Sequence, residues 1–305
     1  MKSMSDSVPF RKSFFKIFTF CLFFFLIPVF SQTQEVPFLR TTDYALQTAV
    51  YNLVSKDSNV RLKVIGVVHV ADKDYYLHIQ KMINDLDYLY YEGIRVNPKS
   101  QSSFEKILTR TSLVAQVLDD TNTRRSIKKY SELKSEIARF LNLADQTEHL
   151  KPRANWINAD MDFVQFVELL QTHKIGFDSL STNLSTDSTS IARDYSEIMS
   201  MEAKDTLEYS QKISNFKRKM SQNLVKSAQD LCYQEEMKLP REAIIIARNK
   251  VAIGFLKSKF RAETPVVLGL LYGAAHTPNF VEILTQDYNF EIESYEWLDA
   301  WSLQN

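Results

Sequence analysis

Histidine, glutamate and arginine are the residues of this chain whose spacing suggests chemistry. Five histidines and six glycines occur in 305 residues. Two histidines stand three positions after a glycine, in Gly66-Val-Val-His69 and Gly273-Ala-Ala-His276. Each motif closes an apolar run and is followed by an amphipathic stretch: LKVIGVVHVADKDYYLHIQKMI in one case, VLGLLYGAAHTPNFVEILTQDY in the other. A third glycine, Gly93, follows Glu92 at the end of the aromatic run DYLYY. Glycine permits unusual dihedrals and close backbone approach. Neutral imidazole and carboxylate are the usual ligands of zinc, manganese, cobalt or iron. Two histidines and one glutamate would leave coordination positions open for water, as a hydrolytic centre requires. Taken singly, either histidine reads more simply as a hydrogen-bonded structural residue. It is the repetition in matching contexts, with Glu92 at a third run's end, that raises the metal reading.

Two other residues invite a role. Arg248 sits in the apolar helical stretch AIIIARNKVAIGFL, where it must find a partner or snorkel. It reads either as a contact to carboxylate or oxyanion in a cleft, or as a structural ion pair to a residue such as Glu92. Asp160, in NADMD, reads either as a strand-end carboxylate facing that cleft or as a cap for the helix beginning near Asp162. His78, His149, His173 and the tyrosines Tyr88, Tyr90 and Tyr91 read as surface or packing residues.

The elements that must position these groups follow from periodicity. Residues 45–54 and 60–68 are apolar and β-branched around a polar turn and predict a hairpin. Helical spacing runs over 72–85, with Asp72 as N-cap. Residues 87–91 predict a short strand, 102–119 and 126–143 amphipathic helices, Trp156–Ala159 a buried strand, and Asp162 to Thr172 a helix. Residues 181–190 are rich in Ser and Thr and predict a loop. Helical pattern then persists from Ile191 to Phe260, with breaks expected near Cys232 and at Pro240. Residues 264–271 are apolar enough for a strand buried on both faces; a helix near 278–286 and a strand near 288–297 follow. The order predicts an α/β sheet with helical insertion over about 100–235. Both histidines then fall at C-terminal strand ends, where open α/β sheets place ligands.

With these motifs in view, the sequence resembles the TraB/PrgY/GumN-like superfamily, which includes the TIKI proteases. Members carry two distant GxxH motifs, a glutamate at the end of an early strand, and an arginine on a helix before the second motif. The matching positions are His69, Glu92, Arg248 and His276, over about residues 45–300. The ending EWLDAW is also similar to bacterial members. The resemblance implies an EreA/ChaN-like fold, a mixed sheet flanked by helices. For the TIKI branch it also implies divalent-metal-dependent peptide hydrolysis, and Mn, Co or Zn is the expected ion here. His69, Glu92 and His276 would hold the metal, and Glu92 and Arg248 would serve catalysis. Arg95, Asp160 and Asn249 are the candidate substrate contacts. The contrasting function is a protein that binds a peptide or small ligand without turnover, including ChaN-like iron or haem handling.

Composition narrows the remaining classes. Hydrophobic residues are 45% of the chain and Gly plus Pro are scarce, which excludes fibrous and low-complexity classes. Lys+Arg and Asp+Glu are both 37, so the basic excess of a nucleic-acid binder is missing. Two cysteines make neither a disulfide framework nor a Cys-based zinc site. Cys232 reads as a half-buried helix thiol. Arg11, Lys12 and Lys16 precede the apolar run Ile17–Phe30, followed by polar Gln32-Thr33-Gln34. This is the pattern of a secretory signal peptide over 1–31, short of the ~20 residues that span a bilayer. Residues 32–44 then read as a linker, and 45–300 as one exported periplasmic or secreted domain, anchored only if the signal stays uncleaved. N-terminal sequencing of protein from the native host should find a mature start near Gln32. Full-length protein free in the cytosol would refute export.

Overall fold

The structure, a computed structural model, describes residues 35–94, 138–176, 188–202 and 206–304. The expected signal segment, the helix at 102–119, most of that at 126–143, most of the loop at 181–190, and Arg95 lie outside these residues.

The chain is α/β. A mixed sheet contains β1 (Leu39–Thr41), β2 (Ala45–Ser55), β3 (Val60–Val67), β5 (Tyr88–Tyr91), β7 (Trp156–Asn158), β8 (Val266–Gly273) and β9 (Phe290–Ser302). The short β4 (Val70–Ala71) and β6 (Ala144–Asp145) pair separately. The described helices are α1 (Lys73–Asn84), α2 (Gln146–His149), α3 (Phe163–Thr172), α4 (Ser188–Met199), α5 (Leu207–Tyr233), α6 (Lys238–Arg241), α7 (Ala247–Leu256) and α8 (Thr277–Asp287). A π-helical turn, Glu242–Ile246, joins α6 to α7.

The predicted hairpin is β2–β3, antiparallel with Val50 opposite Ile65. β9 runs antiparallel along the other side of β2. From β3 onward the sheet is parallel, in the order β3-β8-β5-β7. β8 is the central strand: Val67 of β3 pairs with Gly273, and Tyr91 of β5 with Leu271. The parallel strands therefore end together.

Alternating side chains feed two cores. Ile65, Val67 and Leu271 pack with Tyr75, Tyr76, Ile79 and Ile83 of α1 and with Phe216 of α5. Leu62, Val64, Leu268, Leu270 and Tyr272 pack on the other face with Ile253 and Leu256 of α7 and Phe280 and Leu284 of α8. Covering both faces explains why β8 reads as an uninterrupted apolar run. Among the described residues, no helix is long and apolar enough to cross a membrane.

Several boundaries differ from the sequence expectation. Residues 39–41, read as linker, form β1, because Phe38 and Leu39 bury their side chains in the first core. Trp156–Asn158 is half-buried as the last strand of the sheet path, with only Ala159 fully enclosed. Pro240 does not break its helix. It sits in the first turn of α6, where a missing N–H costs nothing. The break expected near Cys232 is present, at Gln234, and a further one falls before Thr206, whose hydroxyl accepts from Tyr209 N at 3.1 Å. Asp72 holds the N-cap position of α1 as expected, but its carboxylate accepts no helix N–H and takes Lys217 and Ser302 N instead. Cys232 is half-buried, and burial pushes its thiol up to about 12.

The motif glycines serve contact, since no described glycine has positive φ. A Cβ at Gly66 would stand 2.7 Å from Thr277 Oγ1 and 3.2 Å from both Ala274 Cα and Ala49 O. Backbone closes in on two sides, so the turn carrying His276 packs directly on β3. Gly66→Ala should therefore cost about 1–3 kcal/mol of unfolding free energy, measured by urea denaturation. A loss under about 0.5 kcal/mol, the size of a neutral surface change, would show that the turn yields freely.

Candidate functional site

Four parallel strands deliver the site residues at one edge of the sheet. His69 follows β3, Glu92 follows β5, Asp160 follows β7, and Gly273 ends β8 before the 3₁₀ turn Ala274–His276. Helix α7 crosses this edge with Arg248 and Asn249. Adjacent helical residues diverge by about 100°. Arg248 and Asn249 accordingly reach different partners, the first Glu92 and Asp160, the second His276. The π turn just before them adds a residue to the winding, a distortion often found at functional sites.

Arg248 is 6% exposed and Asp160 is fully buried. Nε of Arg248 donates to Asp160 Oδ1 at 2.9 Å, and Nη2 to Oδ2 at 2.5 Å. Nη2 also donates to Glu92 Oε1 at 2.7 Å. Asp160 accepts further from Gly93 N at 3.0 Å and Met161 N at 2.6 Å. Burial alone would lower the Arg248 pKa, but the hydrogen bonds it donates to Asp160 and the charge of Glu92 raise it, so it stays a cation. Asp160 is therefore not exposed to a ligand, and the cap of α3 is Asp162, which makes a full capping box with Gln165. Of the two sequence readings of Arg248, the ion pair to Glu92 is the contact present.

Glu92 is aimed from both sides. Its Oε2 accepts from Gly273 N at 2.6 Å while Oε1 takes Arg248. Burial opposes ionisation, but His276, Arg248, His69 and the Gly273 N–H outweigh it and hold the carboxyl well below its usual range. His276 is 3% exposed. Burial pushes its pKa down to about 4, against the pull of Glu92, so the ring is neutral near pH 7 and Arg248 is the standing cation.

Asn249 fixes which His276 nitrogen carries the proton. Its Nδ2 donates to His276 O and to Asn279 Oδ1, both at 3.1 Å. Its Oδ1 then faces His276 Nδ1 at 2.6 Å and accepts from it. Nε2 is left bare, 3.7 Å from Glu92 Oε1. Two electron-rich atoms face each other there, a separation that two ligands of one ion at ~2.1 Å each can span. Asn249, like Asp160, is fully buried and orients a site residue.

His69 is exposed, with Nδ1 2.9 Å from Gln146 Oε1. The point where a Cβ would stand on Gly273 lies 3.3 Å from Glu92 Oε2 and 3.8 Å from both His276 Cδ2 and His69 Nε2. Glycine thus keeps open a space that all three side chains border. Among the described residues, no group of three His, Cys, Asp or Glu is drawn close enough to hold a metal as it stands. The fixed pair is Glu92 with His276, and His69 borders the space from the solvent side. A divalent ion suits this donor set: one carboxylate, one bare imidazole nitrogen and a second imidazole.

Sequence reasoning did not find Gln146, Asn279 or Thr277. Gln146 sits in the polar stretch QTEH with no motif to mark it, and only the pairing of β4 with β6 brings it to His69. Family models, curated proteins and solved structures give no match to this chain.

Removing Arg248 would leave the fully buried carboxylate of Asp160 without its cation, facing the half-buried carboxylate of Glu92. Arg248→Met should cost about 3–5 kcal/mol in chemical unfolding. A loss under about 1 kcal/mol would mean that water already solvates Asp160.

Proposed function

We propose that the chain is a member of the TraB/PrgY/GumN-like superfamily with an EreA/ChaN-like fold, exported, and acting as a divalent-metal-dependent hydrolase of peptides. The observation that supports this most is the bare Nε2 of His276 facing Glu92 Oε1 at 3.7 Å beside the open space at Gly273. His69, Glu92 and His276 would hold Mn, Co or Zn. Such an ion, when bound, supplies a water of lowered pKa and a Lewis-acid contact to a scissile carbonyl. The protein's part is orientation. Burial keeps His276 neutral, Asn249 fixes its tautomer and turns it inward, and Gly273 N and Arg248 keep Glu92 ionised and fixed. Arg248 acts through Glu92, because its Nε and Nη2 are committed to Asp160 and Glu92. Glu92, whose side chain keeps 17% exposure, would serve as a ligand and as the fixed negative charge of the site, since a carboxyl held well below its usual range is too weak a base to draw a proton from water.

A second reading, a protein that binds a peptide or small ligand without turnover, has one observation in its favour. The three potential ligands are not gathered into a ready group among the described residues.

Metal analysis of the purified protein, followed by a peptide-library cleavage assay, separates the two. About one Mn, Co or Zn per chain, with cleavage abolished by a chelator, is expected for the hydrolase. Gly273→Ala should fold, since the crowded neighbour at 3.3 Å is the carboxylate tip of Glu92, which need give only a few tenths of an ångström, yet lose the metal because the methyl enters the bordered space and displaces that carboxylate. Bound metal without cleavage would favour the binder, and a wild-type protein that takes none of these metals would overturn the hydrolase.

A further inference from the structure

The two histidines at this edge are treated alike by two residues of the same chemistry. His276 Nδ1 meets a carboxamide oxygen, that of Asn249, at 2.6 Å. His69 Nδ1 meets another, that of Gln146, at 2.9 Å. Each of the two residues is also tied to the backbone of the histidine it faces, Asn249 through its side chain and Gln146 through its own backbone. Asn249 Nδ2 donates to His276 O at 3.1 Å, and the backbone N of Gln146 donates to His69 O at 3.1 Å. Gln146 reaches this place by construction. The bridges Val70 to Asp145 and Ala71 to Ala144 lay its segment against the residues just after His69. Asp145 then caps α2, accepting from Thr147 N at 2.9 Å and Thr147 Oγ1 at 2.7 Å. Lys151 N donates to Gln80 Oε1 at 2.7 Å, which ties the far end of the segment to α1.

We propose that Gln146 is the positioning residue of His69: its carboxamide oxygen accepts from Nδ1–H, fixes that tautomer, and leaves Nε2 unprotonated toward the space beside Gly273. Nε2 is the atom that lies 3.8 Å from the point where a Gly273 Cβ would stand. The role presupposes His69 as a ligand in the function proposed above. An oxygen acceptor at the second ring nitrogen is the common way to orient a ligating histidine. A neutral amide does this without the charge of a carboxylate, which would favour the protonated, non-ligating ring. His69 is exposed, so it has no packing of the kind that encloses His276, and the hydrogen bond carries its orientation.

The test reads the proton directly and needs neither metal nor turnover. The full chain, metal-free and labelled with ¹⁵N-histidine, is examined by long-range ¹H–¹⁵N correlation at a pH where the imidazoles are neutral. The His69 signals are assigned by their loss in His69→Asn. Wild type should show a protonated Nδ1 and a bare Nε2 at His69. Gln146→Leu should lose that pattern while the other four histidines keep theirs. Gln146→Glu, which keeps an oxygen acceptor at the same reach, should restore it. Titration with zinc alone should then show Gln146→Leu binding about 10-fold more weakly or worse. A wild-type His69 protonated at Nε2, or a pattern unchanged in Gln146→Leu, overturns the role of Gln146. A wild type with the expected tautomer that takes no zinc counts against the hydrolase and sustains the hydrogen-bond assignment.

Discussion

The guanidinium of Arg248 is the interaction on which this edge of the sheet depends. β5 and β7 run parallel and adjacent, so the carboxylates that follow them, Glu92 and Asp160, are brought together out of water. Two negative charges at that range would repel, and Asp160, fully buried, would lack solvation. Arg248 answers both with one planar fork, spending Nε and Nη2 on Asp160 and reaching Glu92 with Nη2. Asp160 is satisfied besides by two backbone N–H groups, from Gly93 and Met161. A lysine has the charge but not the fork. The pair thereby orients Glu92 from behind while Gly273 N orients it from the front.

The sheet supplies the other constraint. Parallel strands held in register finish at one edge, and four of them here each end with a residue of the site or its support. The antiparallel side, β2 with β9 and β1, contributes core and none of these residues. Gly66 lets the 3₁₀ turn after β8 lie against β3, which sets His276 close to the end of the strand that carries His69. Pairing strands separated by about two hundred residues requires long-range contacts that local propensity cannot specify. The buried apolar character of β3 and β8 is what makes their adjacency stable.

Much of this was readable in the residues because it rests on periodicity and strand-end punctuation. The β2–β3 hairpin, α1, β5, α3, β8, α8 and β9 all follow from local pattern, and so does the shared edge of His69, Glu92 and His276. What escaped depends on tertiary partners. Residues 39–41 are too few to show alternation, and they become a strand only because β2 offers an edge. The π turn before Arg248 has no sequence signature. Asp160 and Asn249 have the chemistry of ligand contacts, and burial alone reassigns them to orienting roles. Gln146 is one polar residue among several until β4 and β6 pair.

The charges of the site follow from that arrangement. Asp160 and Arg248 compensate one another, and the His276 ring is neutral near pH 7, so Glu92 carries the charge left over. A carboxylate that stays ionised beside the bare nitrogen of His276 creates a local demand for positive charge. His276 cannot meet the demand by protonating near pH 7, because its pKa is held at about 4. Arg248 cannot move to meet it without abandoning Asp160. The demand is therefore open on the side of His69, the exposed member. A cation arriving from solvent would find Glu92 and His276 already set and His69 within reach at the rim. The buried half of the site provides precision and the exposed half provides access.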